Sequence, residues 1–401
     1  MRDTDVFGVL LGLTSDWTVS SVDLDDRVFA IRLSVQYVGS ARCPICKQIC
    51  KIHDHCAERS WRHLDTMQYT THVVCRVPRV DCPDHGVKQV SIPWAGPKSR
   101  FTEMFECLAI RMLQLIKCQY RTATLLKLSP GQVHDIMDRA VNRGLSRRVL
   151  DEIPHLSIDE KSFQRGQDYG TVLCDVLNKR VLDMTRGRKE EAAEQAMECL
   201  PHPELVKTIT MDMWVAFKNA AETKLSQADI IHDRFHIAAM LGEAVDDTRR
   251  AEVRKSPELE KTRHIWLKNP ENLTDKQRPV FEALVRAELK TAEAYGLKQV
   301  FRGFFEQDDV QSAETFFSDW MREVEKRELP HILKVAKTLQ KNLPRLLNYV
   351  KWKLANGYAE AVNALIQEVK TIARGFRKFE NFRVAILFFL GKLDLYPRNS
   401  P

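Results

Sequence analysis

Two sets of residues in this 401-residue chain have types and spacings suited to chemistry, one of soft ligands and one of carboxylates. Cys43-Pro-Ile-Cys46 and Cys82-Pro-Asp-His85 are knuckles with two residues between ligands. That spacing lets a tight turn aim both side chains at one tetrahedral centre, the geometry in which zinc takes cysteine and histidine. Zn2+ is therefore expected on Cys43, Cys46, Cys82 and His85. Cys50, His53, His55, Cys56 and Cys75 are rival donors, although Cys75 stands on an alternating segment that favours packing over ligation. Reduced thiols in a small β domain are the plainer reading. Six of the ten cysteines fall before position 83, and Met1 to Leu13 mixes acids into a short apolar stretch unlike an export signal. Clustered thiols in such a chain point to metal rather than to disulfides, and to a cytoplasmic protein.

The carboxylates sit where strands stop. His155-Leu-Ser-Ile-Asp159, Val206-Lys-Thr-Ile-Thr-Met-Asp212 and Ala228-Asp-Ile-Ile-His-Asp233 are short apolar runs that each end on an acid. Acids so placed hold hard divalent cations, or they serve as turn and N-cap residues. Later, Tyr358 to Arg374 carries Ala361, Leu365, Val369 and Ile372 at helical spacing, with Glu360, Asn363, Gln367, Lys370 and Arg374 on the opposite stripe. Glu360 heads that basic ridge, and Glu368 falls off it. Trp214, beside Asp212, has two readings: a stacking surface for a flipped or frayed base, or a packed indole.

These groups need elements to carry them. Thr70 to Pro78 alternates as a strand between the two knuckles. Helical spacing then runs over Phe101–Lys117, Tyr120–Leu128 and, after the breaker Ser129-Pro130-Gly131, Gln132–Val141. A short helix, a tight turn and a second amphipathic helix outline a helix-turn-helix with Gln132, His134, Asp135, Asp138 and Arg139 on its polar face. A plain three-helix bundle fits the same pattern. Basic residues outnumber acids between Lys98 and Arg148, so Arg147, Arg148 and their neighbours could meet phosphates. Strand-like Tyr169–Leu177 and Arg180–Thr185, a helix Glu190–Leu200 and a helix Val215–Leu225 complete an expected mixed α/β sheet. From Arg250 to Asn342 the pattern is helical and highly charged, an apparent insertion. The segment Gly375-Phe-Arg-Lys-Phe-Glu-Asn-Phe-Arg383 interleaves aromatics with bases, as either a DNA-contacting surface or the anchor of a helix end.

Composition sets the bounds. Sixty-one Lys and Arg against fifty-four Asp and Glu give a net charge of +7, which permits a polyanionic partner. The late apolar run Val384 to Leu390 is far too short to span a bilayer, so no membrane is expected.

In order, the Cys/His ribbon, the helical reader, Ser157-Ile-Asp159-Glu, Met211-Asp212-Met-Trp214, His232-Asp-Arg-Phe-His236 and Tyr358-Ala-Glu360-Ala-Val-Asn363, followed by the 375–383 segment, resemble ISL-three type insertion-sequence transposases. The resemblance runs from Cys43 to about Leu390, and its C-terminal motif is the most specific part. One departure is His85, where the family commonly has cysteine. The resemblance implies a multidomain chain: a zinc ribbon (1–95), a helix-turn-helix (96–150), an α/β ribonuclease-H-like catalytic core (151–249 and 346–401) and an all-α insertion (250–345). It implies a catalytic triad of Asp159, Asp212 and Glu360 holding Mg2+ (or Mn2+) for two-metal DNA cleavage and strand transfer. Asp233 and the motif around it are then a structural or secondary active-site motif. Double-stranded DNA, as element ends and target, is the implied partner, with the chain a homo-oligomer on paired ends. Gln132, His134, Arg139, Arg147, Arg148, Lys370, Arg374 and Arg377 are the expected DNA contacts. A DNA-binding regulator with an inactive core, or a nuclease that hydrolyses without joining, are the alternatives.

Overall fold

The computed structural model describes residues 2–397 apart from 151, 165, 167, 355 and 356, and describes no side chain from 357 to 360. The chain divides into two compact units, Met1–Arg148 with Leu393–Pro401, and Val149–Lys392.

The first unit begins with α1 (Asp3–Leu10) and the strands β1 (Trp17–Asp25), β2 (Ala30–Tyr37), β3 (Lys51–His55), β4 (Arg59–Arg62), β5 (Thr70–Cys75), β6 (Pro78–Cys82) and β7 (Gly86–Gln89). Among the described residues these form a four-stranded sheet ordered β1-β2-β5-β4 and a three-stranded antiparallel sheet ordered β3-β6-β7. Pro78 splits the expected strand because it begins β6 rather than closing β5. The hairpin β1–β2 was not foreseen, although Trp17, Val19, Ile31, Leu33 and Val35 alternate into the core. Trp17 stands edge-on to both Tyr37 and Trp94 at 4.9 Å, and Trp94 meets Trp61 at 5.6 Å, so one aromatic cluster fills the sheet's inner face.

Three helices follow: α2 (Glu103–Ile116), α3 (Gln119–Leu126) and α4 (Pro130–Arg147). The expected breaker does separate α3 from α4, but its Pro130 already belongs to the second helix. Ser129 accepts from the Gln132 N–H, the Gln132 side chain accepts from the Ser129 N–H, and Pro130 occupies the first turn, where a missing N–H costs nothing. With that cap α4 runs on to Arg147. Glu106, buried on α2, is held by Arg139 at 2.7 Å, Arg143 at 2.9 Å and the Ser99 hydroxyl at 2.8 Å. A carboxylate that deep is tolerated only with such partners, so this network locks α2 to α4.

The second unit is built on a five-stranded sheet of β8 (His155–Ser162), β9 (Tyr169–Asp175), β10 (Arg180–Arg186), β11 (Thr208–Met211) and β12 (Asp229–His232), ordered β10-β9-β8-β11-β12. β9 runs antiparallel to both β8 and β10, while β11 is parallel to β8 and to β12. Leu156 and Ile158 of β8 point into a core shared with α5 (Glu190–Met197) and α6 (Val215–Lys224), which leaves Ser157 and Asp159 on the other face.

Helices α7 (Arg234–Glu252), α8 (Arg263–Leu267), α9 (Gln277–Arg286), α10 (Lys290–Phe301), α11 (Val310–Arg327), α12 (Pro330–Lys341) and α13 (Leu343–Trp352) pack around a separate core that runs from Ile237 to Val350 and centres on Trp266, Phe301, Phe304 and Trp320. Then come α14 (Gly357–Ile372) and α15 (Phe379–Leu390). The turn after α14 closes at Gly375, whose φ of +87° lets its N–H reach the Lys370 carbonyl at 2.9 Å. Phe379 and Phe382 bury against Phe163 at 5.5 Å, and Arg383 pairs with Asp183 at 2.7 Å. The aromatics of the 375–383 segment therefore anchor a helix end, whereas Arg377 and Lys378 stay exposed. Among the described residues, no helix is long and apolar enough to cross a membrane.

Candidate functional site

The two knuckles converge. Cys43 and Cys46 lie on the loop after β2, where the Lys47 N–H returns to the Cys43 carbonyl at 3.0 Å and Lys47 takes a φ of +64°. Cys82 ends β6 and His85 sits in the turn to β7, closed by Gly86 at φ +64°. Ligand atoms of Cys43, Cys46, Cys82 and His85 all fall within 4.8 Å of one another. Cys46 Sγ and Cys82 Sγ are 3.6 Å apart, and His85 Nδ1 is 3.5 Å from Cys82 Sγ and 3.8 Å from Cys43 Sγ. Tetrahedral zinc with its usual bond lengths has ligand–ligand edges of about 3.6–3.8 Å, so the donor set fits that ion. The His85 hydrogen bond draws the Cys82 thiol down to about 6, toward the thiolate a metal requires. Cys75 is packed, its thiol pushed up to about 12 by burial, and Cys56 donates to Gln89 at 3.6 Å.

In the second unit, parallel neighbours bring two of the expected carboxylates together. Asp159 lies on β8, and Asp212 directly follows β11, its parallel neighbour. Burial raises the Asp159 carboxyl to about 6, with the Asp212 charge as the next cause, so the two acids repel in a poorly solvated place. Beside the Glu160 N–H, which donates to Asp159 Oδ1 at 2.7 Å, two side chains answer that charge. The Asn363 amide of α14 donates to Asp159 Oδ2, and His236 of α7 donates through Nε2 to Asp212 Oδ1 at 2.9 Å. That bond raises the His236 imidazole above its ordinary range.

Asp233 caps α7, accepting from the Phe235 N–H at 2.9 Å, which is the capping role weighed for strand-end acids. It also lies with Asp212 and His236 in a group whose ligand atoms are within 4.8 Å. Sequence reasoning took His232-Asp-Arg-Phe-His236 as a structural or secondary active-site motif but did not name the His236–Asp212 pair. The cue was there: His236 follows the cap by three residues, one helical turn. The third expected acid, Glu360, has a side chain outside the described residues, although its backbone belongs to α14.

The expected DNA contacts scatter. Gln132 is bound in the α4 cap, and His134 on the same helix is half-buried. Arg139 is engaged by Glu106, and Arg147 by Asp394 at 3.0 Å and the Tyr396 carbonyl at 2.7 Å. Arg148 follows α4 and is half-buried. Lys370 donates to the Ser162 carbonyl at 2.8 Å, which ties α14 to the end of β8, while Arg374 and Arg377 are exposed beyond it. Arg188 was not anticipated. Its guanidinium stacks 4.4 Å from the Tyr169 ring and 5.3 Å from Trp214, a contact between distant segments that leaves no sequence signal.

Two family models match the chain. A family model described as a transposase, of the ISL3 type, matches residues 156–386. A second, the zinc-finger of transposase IS204/IS1001/IS1096/IS1165, matches residues 39–85 and so takes in all four knuckle ligands. The chain is 24% identical over 370 residues to the transposase for insertion sequence element IS1001 of Bordetella parapertussis, covering 88% of this chain and 90% of that protein. It is 22% identical over 426 residues to the transposase for insertion sequence element IS1557 of Mycobacterium tuberculosis strains CDC 1551 / Oshkosh and ATCC 25618 / H37Rv, covering 94% and 93%. With more than half of its length matched by the first of these family models, the chain belongs to the ISL3 family of insertion-sequence transposases.

Proposed function

We propose that the chain cuts and joins the DNA ends of its insertion sequence with Asp159, Asp212 and Glu360 as a metal-holding triad. The observation that carries this reading is that the parallel strands β8 and β11 bring Asp159 and Asp212 to one half-buried place, where burial and the Asp212 charge raise Asp159 and a divalent cation held by both acids would relieve the cost. Glu360 stands three residues before Asn363 on α14, and residues three apart share a helix face. Since Asn363 reaches Asp159, that spacing supports Glu360 as the third acid. Mg2+ (or Mn2+) on this triad would activate water or a DNA 3′-hydroxyl and stabilise charge on the leaving oxygen of an in-line displacement.

The chain's own side chains orient the acids. Asn363 donates to one oxygen of Asp159 and the Glu160 N–H to the other at 2.7 Å, and His236 holds Asp212 by one oxygen. The strand order supports a ribonuclease-H-like core: three antiparallel strands, β10-β9-β8, continue into two parallel ones, β11 and β12. The helices α3 and α4, joined by the capped turn at Ser129, support a helix-turn-helix that reads element ends together with the zinc ribbon. The domains 1–95, 96–150, 151–249, 250–345 and 346–401 would then divide recognition, catalysis and the helical insertion among themselves. Gln132, His134, Arg139, Arg147, Arg148, Lys370, Arg374 and Arg377 are proposed to face DNA. For Arg139 and Arg147 this requires sharing the guanidinium with Glu106 and Asp394. A homo-oligomer on paired ends would supply both active sites.

Three outcomes are expected. On labelled element ends with magnesium or manganese, Asp159→Asn, Asp212→Asn and Glu360→Gln should each lose on the order of a thousandfold in nicking and joining while still binding DNA, and Glu368→Gln should keep activity. Full joining by Glu360→Gln would move the third ligand elsewhere. Cutting without joining by the unmodified protein on paired ends would mark a nuclease, and no cutting at all a regulator.

The pH dependence of stability follows from Asp159. Its folded pKa of about 6 lies above the unfolded value, so ionisation costs the fold stability as pH rises from about 4 through 6. In chelator, Asp159→Asn should be the more stable protein at pH 7.5, by an upper limit on the order of 3 kcal/mol, and the gain should vanish near pH 4. An equal effect at both pH values in denaturant unfolding would contradict the repulsion.

For the ribbon, purified protein should carry about one equivalent of zinc. Cys82→Ser should lose it together with the fold of the N-terminal sheets, while Cys75→Ser keeps it. Metal-free protein with unchanged structure would rule out a structural zinc.

A further inference from the structure

The two parallel strands that approach the carboxylates end alike. β11 is followed by Asp212-Met-Trp214 and β12 by Asp233-Arg-Phe235, and the strands run in register with Met211 opposite His232. Each therefore delivers an acid and, two residues on, an aromatic side chain. Both aromatics are open to solvent, Trp214 at 45% and Phe235 at 42% exposure. Both are backed by an arginine: Arg188 at 5.3 Å from the indole and Arg234 at 4.9 Å from the phenyl ring.

Neither arrangement is loose. The Trp214 Nε1–H donates to the Arg188 carbonyl at 3.0 Å, which fixes the indole from one edge. Arg188 is stacked on Tyr169 and lies 3.8 Å from Glu160, and Arg234 donates to the Tyr349 hydroxyl at 3.2 Å. A guanidinium carries five N–H donors, so each keeps some for an anion.

We propose that Trp214 and Phe235 are stacking platforms for unpaired nucleobases next to the scissile phosphate, with Arg188 and Arg234 taking the flanking phosphates. The proposal rests on the reading of Asp159 and Asp212 as the cutting site. A base inside a duplex has both faces covered, so an open aromatic beside the acids is useful only to a base that has left the stack. Aromatic stacking tolerates any base, and a guanidinium suits phosphate by its planar fork. Together they select an unpaired nucleotide rather than a sequence.

The test uses full-length protein in chelator and three duplexes from the DNA flanking the gene: fully paired across the element end, with two unpaired bases at the cleavage position, and with abasic sites there instead. The unmodified protein should bind the unpaired-base duplex roughly 5- to 100-fold tighter than the abasic one. Trp214→Ala should lose most of that preference, Phe235→Ala part of it, and Trp214→Phe should restore it, all with unchanged affinity for the paired duplex, which also reports intact folding. Arg188→Gln should weaken binding to unpaired-base and abasic duplexes alike. Undiminished preference in Trp214→Ala and Phe235→Ala, or its failure to return in Trp214→Phe, would overturn the platforms. Binding in chelator needs no catalysis, so this failure is distinct from failure of the catalytic reading, which would show as normal cutting by Asp159→Asn.

Discussion

The second unit is organised around a conflict: two carboxylates, Asp159 and Asp212, brought close by adjacent parallel strands where water is scarce. Burial raises the Asp159 carboxyl to about 6, and the Asp212 charge adds to that rise. Asn363 donates to one acid and His236 to the other, and Asp233 is committed to capping α7. Hydrophobic packing supplies the force that holds the acids there, since Leu156, Ile158, Ile209 and Met211 are buried on the same strands. On the proposed reading this strain is useful, because the cation that relieves it is the one that does the chemistry.

The first unit solves a related problem with different means. Its buried carboxylate, Glu106, is neutralised outright by Arg139 and Arg143 and locks a helical layer. Its cluster of thiols draws on one imidazole, His85, and its ligand edges match a tetrahedral ion. One buried acid is thus satisfied and structural, whereas the pair in the second unit is left under-compensated. That contrast separates a structural site from a candidate reactive one.

What could be read from the sequence was what depends on local periodicity. Short β-branched runs ending on acids located Asp159 and Asp212, and the two-residue knuckle spacing located all four soft ligands. The Glu360 stripe named Asn363 as its neighbour, and Asn363 does reach Asp159. What escaped was set by partners far away in the chain. The β1–β2 hairpin depends on Trp61 and Trp94 to complete its aromatic core, and Arg188 gains its place only when Tyr169 and Trp214 meet. Arg139, read as part of a polar face, is claimed by a glutamate 33 residues earlier. Pro130 was read as a breaker, and only the Ser129–Gln132 cap turns it into a helix start.

Two donor sets compete for a divalent ion at the end of β11: the proposed triad of Asp159, Asp212 and Glu360, and the group Asp212, Asp233 and His236. Crystals soaked in manganese, with anomalous scattering recorded, separate them directly. The account predicts anomalous density bonded at about 2.0–2.2 Å to carboxylate oxygens of Asp159 and Asp212, with Glu360 completing the coordination. Density bound by Asp212, Asp233 and His236 with Asp159 left out would contradict it.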